Sequence, residues 1–236
     1  MYALKEYSDN VVELRPNDKE EKKEYKKSTT GYKSNGVRVP HKADAIPDEY
    51  LAVIKDYFLT NGKPKWRQRN WVLVLLGINI GNRCGDISRL HVGDVMWNGQ
   101  MKSKVEYYAE KTRSWEVFYL QEALQKELAK YITTLTNQSP AAWLFPSEHG
   151  KYEHLRTKSV WEIFHKTSKD LDLPFHFSTH SLRKTLGRTA YKEYGVEGSR
   201  MLLRHKSEKS TLHYIGVTED DVEEKAKGLP VKGLDT

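Results

Sequence analysis

Cysteine is almost absent. Cys84 stands alone among 236 residues, so no internal disulfide framework can form, and a zinc finger is excluded because no second thiol lies at ligand spacing. Long apolar runs are missing as well. No window approaches the roughly 18 apolar residues of a membrane span, and the charged Met1–Asn10 has no apolar core of the kind a secretory signal needs. These absences point to the cytoplasm and to no membrane partner. Acid is in short supply relative to base, 32 Asp and Glu against 39 Lys and Arg, with a formal net charge of +7. That balance favours a polyanion such as nucleic acid over an acidic metabolite. No internal repeat is visible, which excludes a repeat array. A length of 236 residues suits one main domain with extensions.

Residues 1–44 carry few aliphatic side chains and the charge run from Lys19 to Lys27, too little apolar surface to fold alone, and read as a flexible basic arm. Order is expected from Ile46-Pro47-Asp48-Glu49, where Pro at the first helical position and acids in the first turn precede Leu51, Ile54, Tyr57 and Phe58 at helical spacing. That helix should end near Asn61-Gly62. A second, from Gln68 to about Ile80, holds the apolar block Trp71–Leu76, too continuous for a surface element, and should be the central core helix. A short helix through Ile87 and Leu90 follows. Lys104–Ala109 and Ser114–Leu120, rich in Val, Tyr, Trp and Phe, flank the polar turn Glu110-Lys111-Thr112-Arg113 and predict a β-hairpin. Helical stretches are expected near Gln121–Thr134, Thr157–Lys169, Thr179–Tyr194 and Glu197–Arg204, with a further short helix in the tail after Gly216. The sum is a mainly α domain with a small antiparallel β-sheet, an α+β fold over residues 45–216, followed by a tail at 217–236.

His180 and Arg183 are three residues apart, so on a helix both leave one face, where an imidazole and a guanidinium can grip a single anion. Downstream, Tyr214 stands nine positions after His205, across a polar loop with Ser and Thr. Upstream, Gly81-Asn82-Arg83-Cys84-Gly85-Asp86 follows the apolar helix and precedes Leu90, and Lys111 sits in the hairpin turn. Taken singly, Arg83 reads as a surface arginine at a helix end, Lys111 as a turn lysine, His205 as a cap and Tyr214 as a core ring.

As an ordered set these residues resemble the catalytic domain of the tyrosine recombinases of the phage-integrase type. That family carries an arginine after an apolar helix, a lysine on a hairpin turn, H-x-x-R, then a His shortly before a nucleophilic Tyr. All six positions are filled, by Arg83, Lys111, His180, Arg183, His205 and Tyr214. Asn82 departs from the pattern, standing where leucine is usual.

The resemblance implies a site-specific recombinase or integrase that cuts and rejoins DNA through a 3′-phosphotyrosine at Tyr214. Arg83 and Arg183 would hold the nonbridging oxygens, His180 would act as general base, and His205 would bond the phosphate. Lys111 would protonate the departing 5′-oxygen, and Asp86 would orient the first arginine or its helix. No cofactor and no metal is implied. Implied partners are double-stranded DNA, copies of the chain forming a tetramer on paired DNA sites, and accessory DNA-bending proteins, in a phage or mobile element of a bacterial host with the protein on the nucleoid. Val222, Ala226, Leu229 and Val231 would anchor the tail on a neighbouring protomer. Family members usually carry a helical core-binding domain ahead of the catalytic one, where residues 1–44 form only an arm. A DNA-binding regulator or accessory protein on the same fold is the alternative, and a type IB topoisomerase a third reading. Arg89, His91, Arg188, Arg204 and His213 match no catalytic position and read as structural or general DNA contacts, and His165 and His176 as structural.

Overall fold

The computed structural model describes residues 31–32, 38–39, 43–149, 153–217, 223 and 226–227. Most of the 1–44 arm, and Val222, Leu229 and Val231 of the tail, lie outside the described residues. Within the arm, β1 (Gly31–Tyr32) and β2 (Arg38–Val39) pair antiparallel. The chain then docks on residues distant in sequence. Asp44 N donates to His176 O at 3.2 Å, His176 N donates to Asp44 Oδ2 at 3.0 Å, and Ile46 N donates to Thr185 Oγ1 at 2.8 Å.

Helix α1 (Asp48–Thr60) buries Ile54 and Phe58, one turn apart, and Asp48 and Glu49 in its first turn oppose the positive end of the helix dipole. Pro47 occupies the cap position, just before the helix proper. Helix α2 (Pro64–Ile80) starts a turn earlier than the apolar block suggests, because Pro64, with its φ preset, occupies the first position. It buries Trp71, Val72, Leu73, Val74, Leu76 and Ile80. Gly81 ends it at φ 64°, a left-handed cap natural to glycine; any Cβ there would also lie 2.4 Å from Leu186 Cδ2.

Short helices α3 (Cys84–Ile87) and α4 (Val92–Val95) lead to the paired strands β3 (Met96–Trp97) and β4 (Gln100–Met101). The expected hairpin follows as β5 (Lys104–Ala109) and β6 (Ser114–Tyr119), in register from Lys104↔Tyr119 to Ala109↔Ser114. Its inner face buries Val105, Tyr107, Ala109 and Phe118. Where the sequence suggests one small sheet, the described residues hold three two-stranded ladders, since two-residue strands leave no periodic signal.

Helices α5 (Glu122–Thr133), α6 (Thr157–Asp170), α7 (Thr179–Leu203) and α8 (Glu208–Ile215) complete the domain. The two helices expected over 179–204 form one element broken at Gly195, whose φ of 70° and ψ of −167° interrupt the helix. Helix α2 packs against α1, α5 and α7, which makes it the core helix that its apolar block predicts. The architecture is mainly helical with small antiparallel sheets, an α+β fold.

Candidate active site

Arg83 stands two residues after the α2 cap Gly81 and caps the start of α3. Arg183, on the first turns of α7, fixes that region. Its Nη1 donates to Gly81 O at 2.5 Å and its Nη2 donates to Leu203 O, so one guanidinium ties the end of α2 to the end of α7. A guanidinium has five N–H donors, and the three left over remain for an anion. His180 lies one turn before Arg183, where Ser178 caps α7 by accepting from His180 N at 3.3 Å. The His180 side chain is exposed at the cleft edge. Desolvation, followed by the charges of Arg183, Lys111, Lys184 and Arg83, holds its imidazole below the ordinary value.

His205 follows α7. Thr211 Oγ1 lies 3.1 Å from both Ser207 O and His205 Nδ1, and this hydrogen-bonded hydroxyl orients the His205 ring. Burial and the charges of Arg183 and Arg83 lower the His205 pKa as well. The Tyr214 ring meets His205 edge to face at 5.1 Å and 89°. The Tyr214 hydroxyl is buried and has no hydrogen-bond partner among the described residues. Burial pushes this phenol above its usual range, while Arg183 and Arg83 pull it down without cancelling that effect. A buried, unpartnered hydroxyl under two arginine charges suits a nucleophile whose partner is a substrate.

Lys111 is exposed at the hairpin tip and reaches the others through its charge on His180. Asp86 Oδ1 accepts from Glu110 N, the residue before Lys111, at 3.4 Å, and its Oδ2 has no partner among the described residues. Burial raises the Asp86 pKa, opposed by the Glu110 hydrogen bond and by Arg83. Asp86 therefore ties α3 to the Lys111 turn, a link the sequence does not reveal.

Lys184 and Trp161 were not legible as site residues. Lys184 is buried, with Nζ 5.8 Å from the centroid of the Tyr214 ring. Trp161, half exposed on α6, lines a cavity of about 410 Å³ together with His180, Lys184, His213 and Tyr214. A third cation directly after Arg183 was the available signal for Lys184. For Trp161 there was none, since α6 reaches the site only through tertiary packing. Among the described residues no group of three or more His, Cys, Asp or Glu side chains is arranged to hold a metal ion, and no helix is long and apolar enough to cross a membrane.

Residues 54–220 match the model of the phage integrase family. A probable integrase/recombinase, YoeC of Bacillus subtilis (strain 168), is 28% identical over 173 residues, spanning 73% of this chain and 88% of that protein. Among solved structures, XerA recombinase superposes with a TM-score of 0.62 at 17% identity, covering 82% of this chain and 68% of its own. The Tn1549 transposon integrase in complex with circular intermediate DNA gives 0.61 at 14% identity, covering 81% and 68%. A lambda integrase dimer bound to a COC′ core site gives 0.55 at 16%, covering 86% and 53%. At such identities these likenesses speak for the fold. Because the family match runs over well more than half of the residues, from within α1 to beyond α8, the chain belongs to the phage integrase family.

Proposed function

We propose that the chain is a site-specific DNA recombinase working through Tyr214, with Arg83, Lys111, His180, Arg183 and His205 as its catalytic set. The observation that carries this reading is the buried Tyr214 phenol, set against His205 and under the charges of Arg83 and Arg183. Tyr214 Oη attacks the scissile phosphorus, the P–O5′ bond breaks, and a 3′-phosphotyrosine ester keeps the energy of the broken bond. The phenol proton passes to His180, which is held neutral by its surroundings, and Lys111 gives a proton to the 5′-oxygen. Arg83 and the free donors of Arg183 match the charge on the nonbridging oxygens, and His205 bonds the same phosphate. Religation runs the sequence backwards with a 5′-hydroxyl as nucleophile. No step consumes ATP.

In this reading residues 1–44 are a basic arm, 45–216 the catalytic domain and 217–236 a segment that docks on a neighbouring protomer. The acting species is a tetramer on paired duplex sites, with accessory DNA-bending proteins aiding assembly and with the bacterial nucleoid as setting. The Tn1549 and lambda integrase structures are of DNA complexes, which supports duplex DNA as the substrate here.

The test is incubation of wild-type and Tyr214→Phe protein with a nicked suicide duplex carrying candidate site DNA, followed by a denaturing gel. A covalent adduct with wild type alone is expected. Salt-sensitive binding of the same duplex with no adduct would instead point to a DNA-binding regulator.

A further inference from the structure

Three of the candidate catalytic residues have an immediate chain neighbour in one polar network. Arg204, which precedes His205, caps α7 at φ 53°. Its Nη1 donates to Glu116 Oε2 at 2.8 Å, to Asn82 Oδ1 at 3.2 Å and to Tyr107 Oη at 3.2 Å, and its Nη2 donates to Val117 O. Asn82 precedes Arg83. Glu116 accepts from Tyr107 Oη at 2.7 Å and, through its other oxygen, from Thr112 Oγ1 at 2.8 Å; Thr112 follows Lys111. The Glu116 side chain is 14% exposed, so most of the carboxylate is shielded from water.

From this convergence, and resting on the recombinase reading above, we infer that Glu116 and Arg204 are positioning residues for DNA cleavage. They lock the Lys111 turn in register with Arg83 and His205. Hairpin, α2–α3 turn and α7–α8 turn come from distant parts of the chain, and the Glu116–Arg204 pair is where all three are cross-linked. The hairpin packs its inner face on the core through Val105, Ala109 and Phe118, but its tip at 110–115 is exposed, so the carboxylate that holds Thr112 sets where the Lys111 ammonium stands. The pair also accounts for Asn82: leucine, usual in this family at that position, could not accept from Arg204, whereas the amide oxygen does.

Burial pushes the Glu116 carboxyl up, but hydrogen bonds from Tyr107 and Thr112 and the charge of Arg204 outweigh it and hold the group below the usual carboxylate range. Glu116 is thus an anion at neutral pH, and Glu116→Gln removes the charge at nearly constant shape.

The experiment uses two suicide duplexes, one ordinary and one with sulfur in place of the bridging 5′-oxygen. With sulfur, P–S5′ cleavage releases a thiolate that needs no proton, so the demand on Lys111 disappears. Single-turnover rates are measured on both for wild type, Lys111→Ala, Glu116→Gln and Asn82→Leu. The ratio of the two rates does not depend on how much of a variant is folded. Glu116→Gln is expected to cut ordinary DNA about 10-fold to 100-fold more slowly, part of the roughly 10²–10⁴ that positioned proton transfer contributes, and to cut the sulfur duplex at the wild-type rate. Asn82→Leu should move the ratio in the same direction by less. An unchanged ratio in Glu116→Gln overturns the inference while leaving the recombinase reading intact; a Lys111→Ala variant slowed equally on both duplexes overturns it together with the proton-donor role given to Lys111. Wild type that cuts neither duplex overturns both.

Discussion

Two effects on His180 pull in one direction: desolvation of its imidazole, and the charges of Arg183, Lys111, Lys184 and Arg83. Its pKa lies below the ordinary imidazole value near 6.5, so at neutral pH it is unprotonated and able to accept the Tyr214 proton. The sign of the pH dependence follows. Cleavage falls as pH drops through the lowered His180 value, so the acid limb of a single-turnover profile is expected below pH 6.5. Lys184→Met removes one of the four cations and should move that limb upward; a limb that stays in place in this variant would count against His180 as the base. The identities of the six candidate residues were legible in the sequence because their order and spacing are covalent facts. Their electrostatics were not. Burial of the Tyr214 hydroxyl, the Lys184 ammonium over its ring and the two carbonyls that engage Arg183 arise only when α2, α7 and α8 pack together.

At the scale of elements, the hairpin and the helices around it follow from periodicity, and β5 keeps the predicted bounds Lys104–Ala109. Helix α8 does not follow from it. The stretch between His205 and Tyr214 reads as a polar loop, yet residues 208–215 form two helical turns capped by Ser207, whose Oγ accepts from Ser210 N at 3.2 Å. So short a helix is unstable alone; the burial of Thr211 and Ile215 against α7 supplies what propensity cannot. Helix α7 raises the opposite case, since its two expected halves are joined through Gly195, and a Cβ at that position would meet nothing within 4 Å. The obstacle to a side chain there is backbone conformation and not space. With φ of 70° and ψ of −167° the residue sits in a region essentially reserved for glycine, so Gly195→Ala should destabilise the fold by about 1–3 kcal/mol. Urea unfolding would measure this, and an unchanged midpoint would show that the break at Gly195 relaxes freely.

For the whole molecule the formal charge of +7 is the property that bears on DNA. If duplex binding rests on Lys and Arg contacts to some six phosphates, affinity should fall by about 10³-fold between roughly 50 and 200 mM salt. Fluorescence anisotropy on a labelled duplex would measure the slope, and a flat response would exclude a phosphate-dominated interface. Composition, order and spacing by themselves determined the fold class, the central helix, the hairpin with Lys111 at its turn and the set of residues available for chemistry, because helix and strand periods and motif distances are written along the chain. Tertiary structure alone decided how those residues meet. Arg183 bridging Gly81 and Leu203, Asp86 reaching Glu110, and Arg204 and Glu116 joining Asn82 to Thr112 link segments up to 122 positions apart. Such pairings depend on how helices and hairpin close on one another, and no local period encodes that closure.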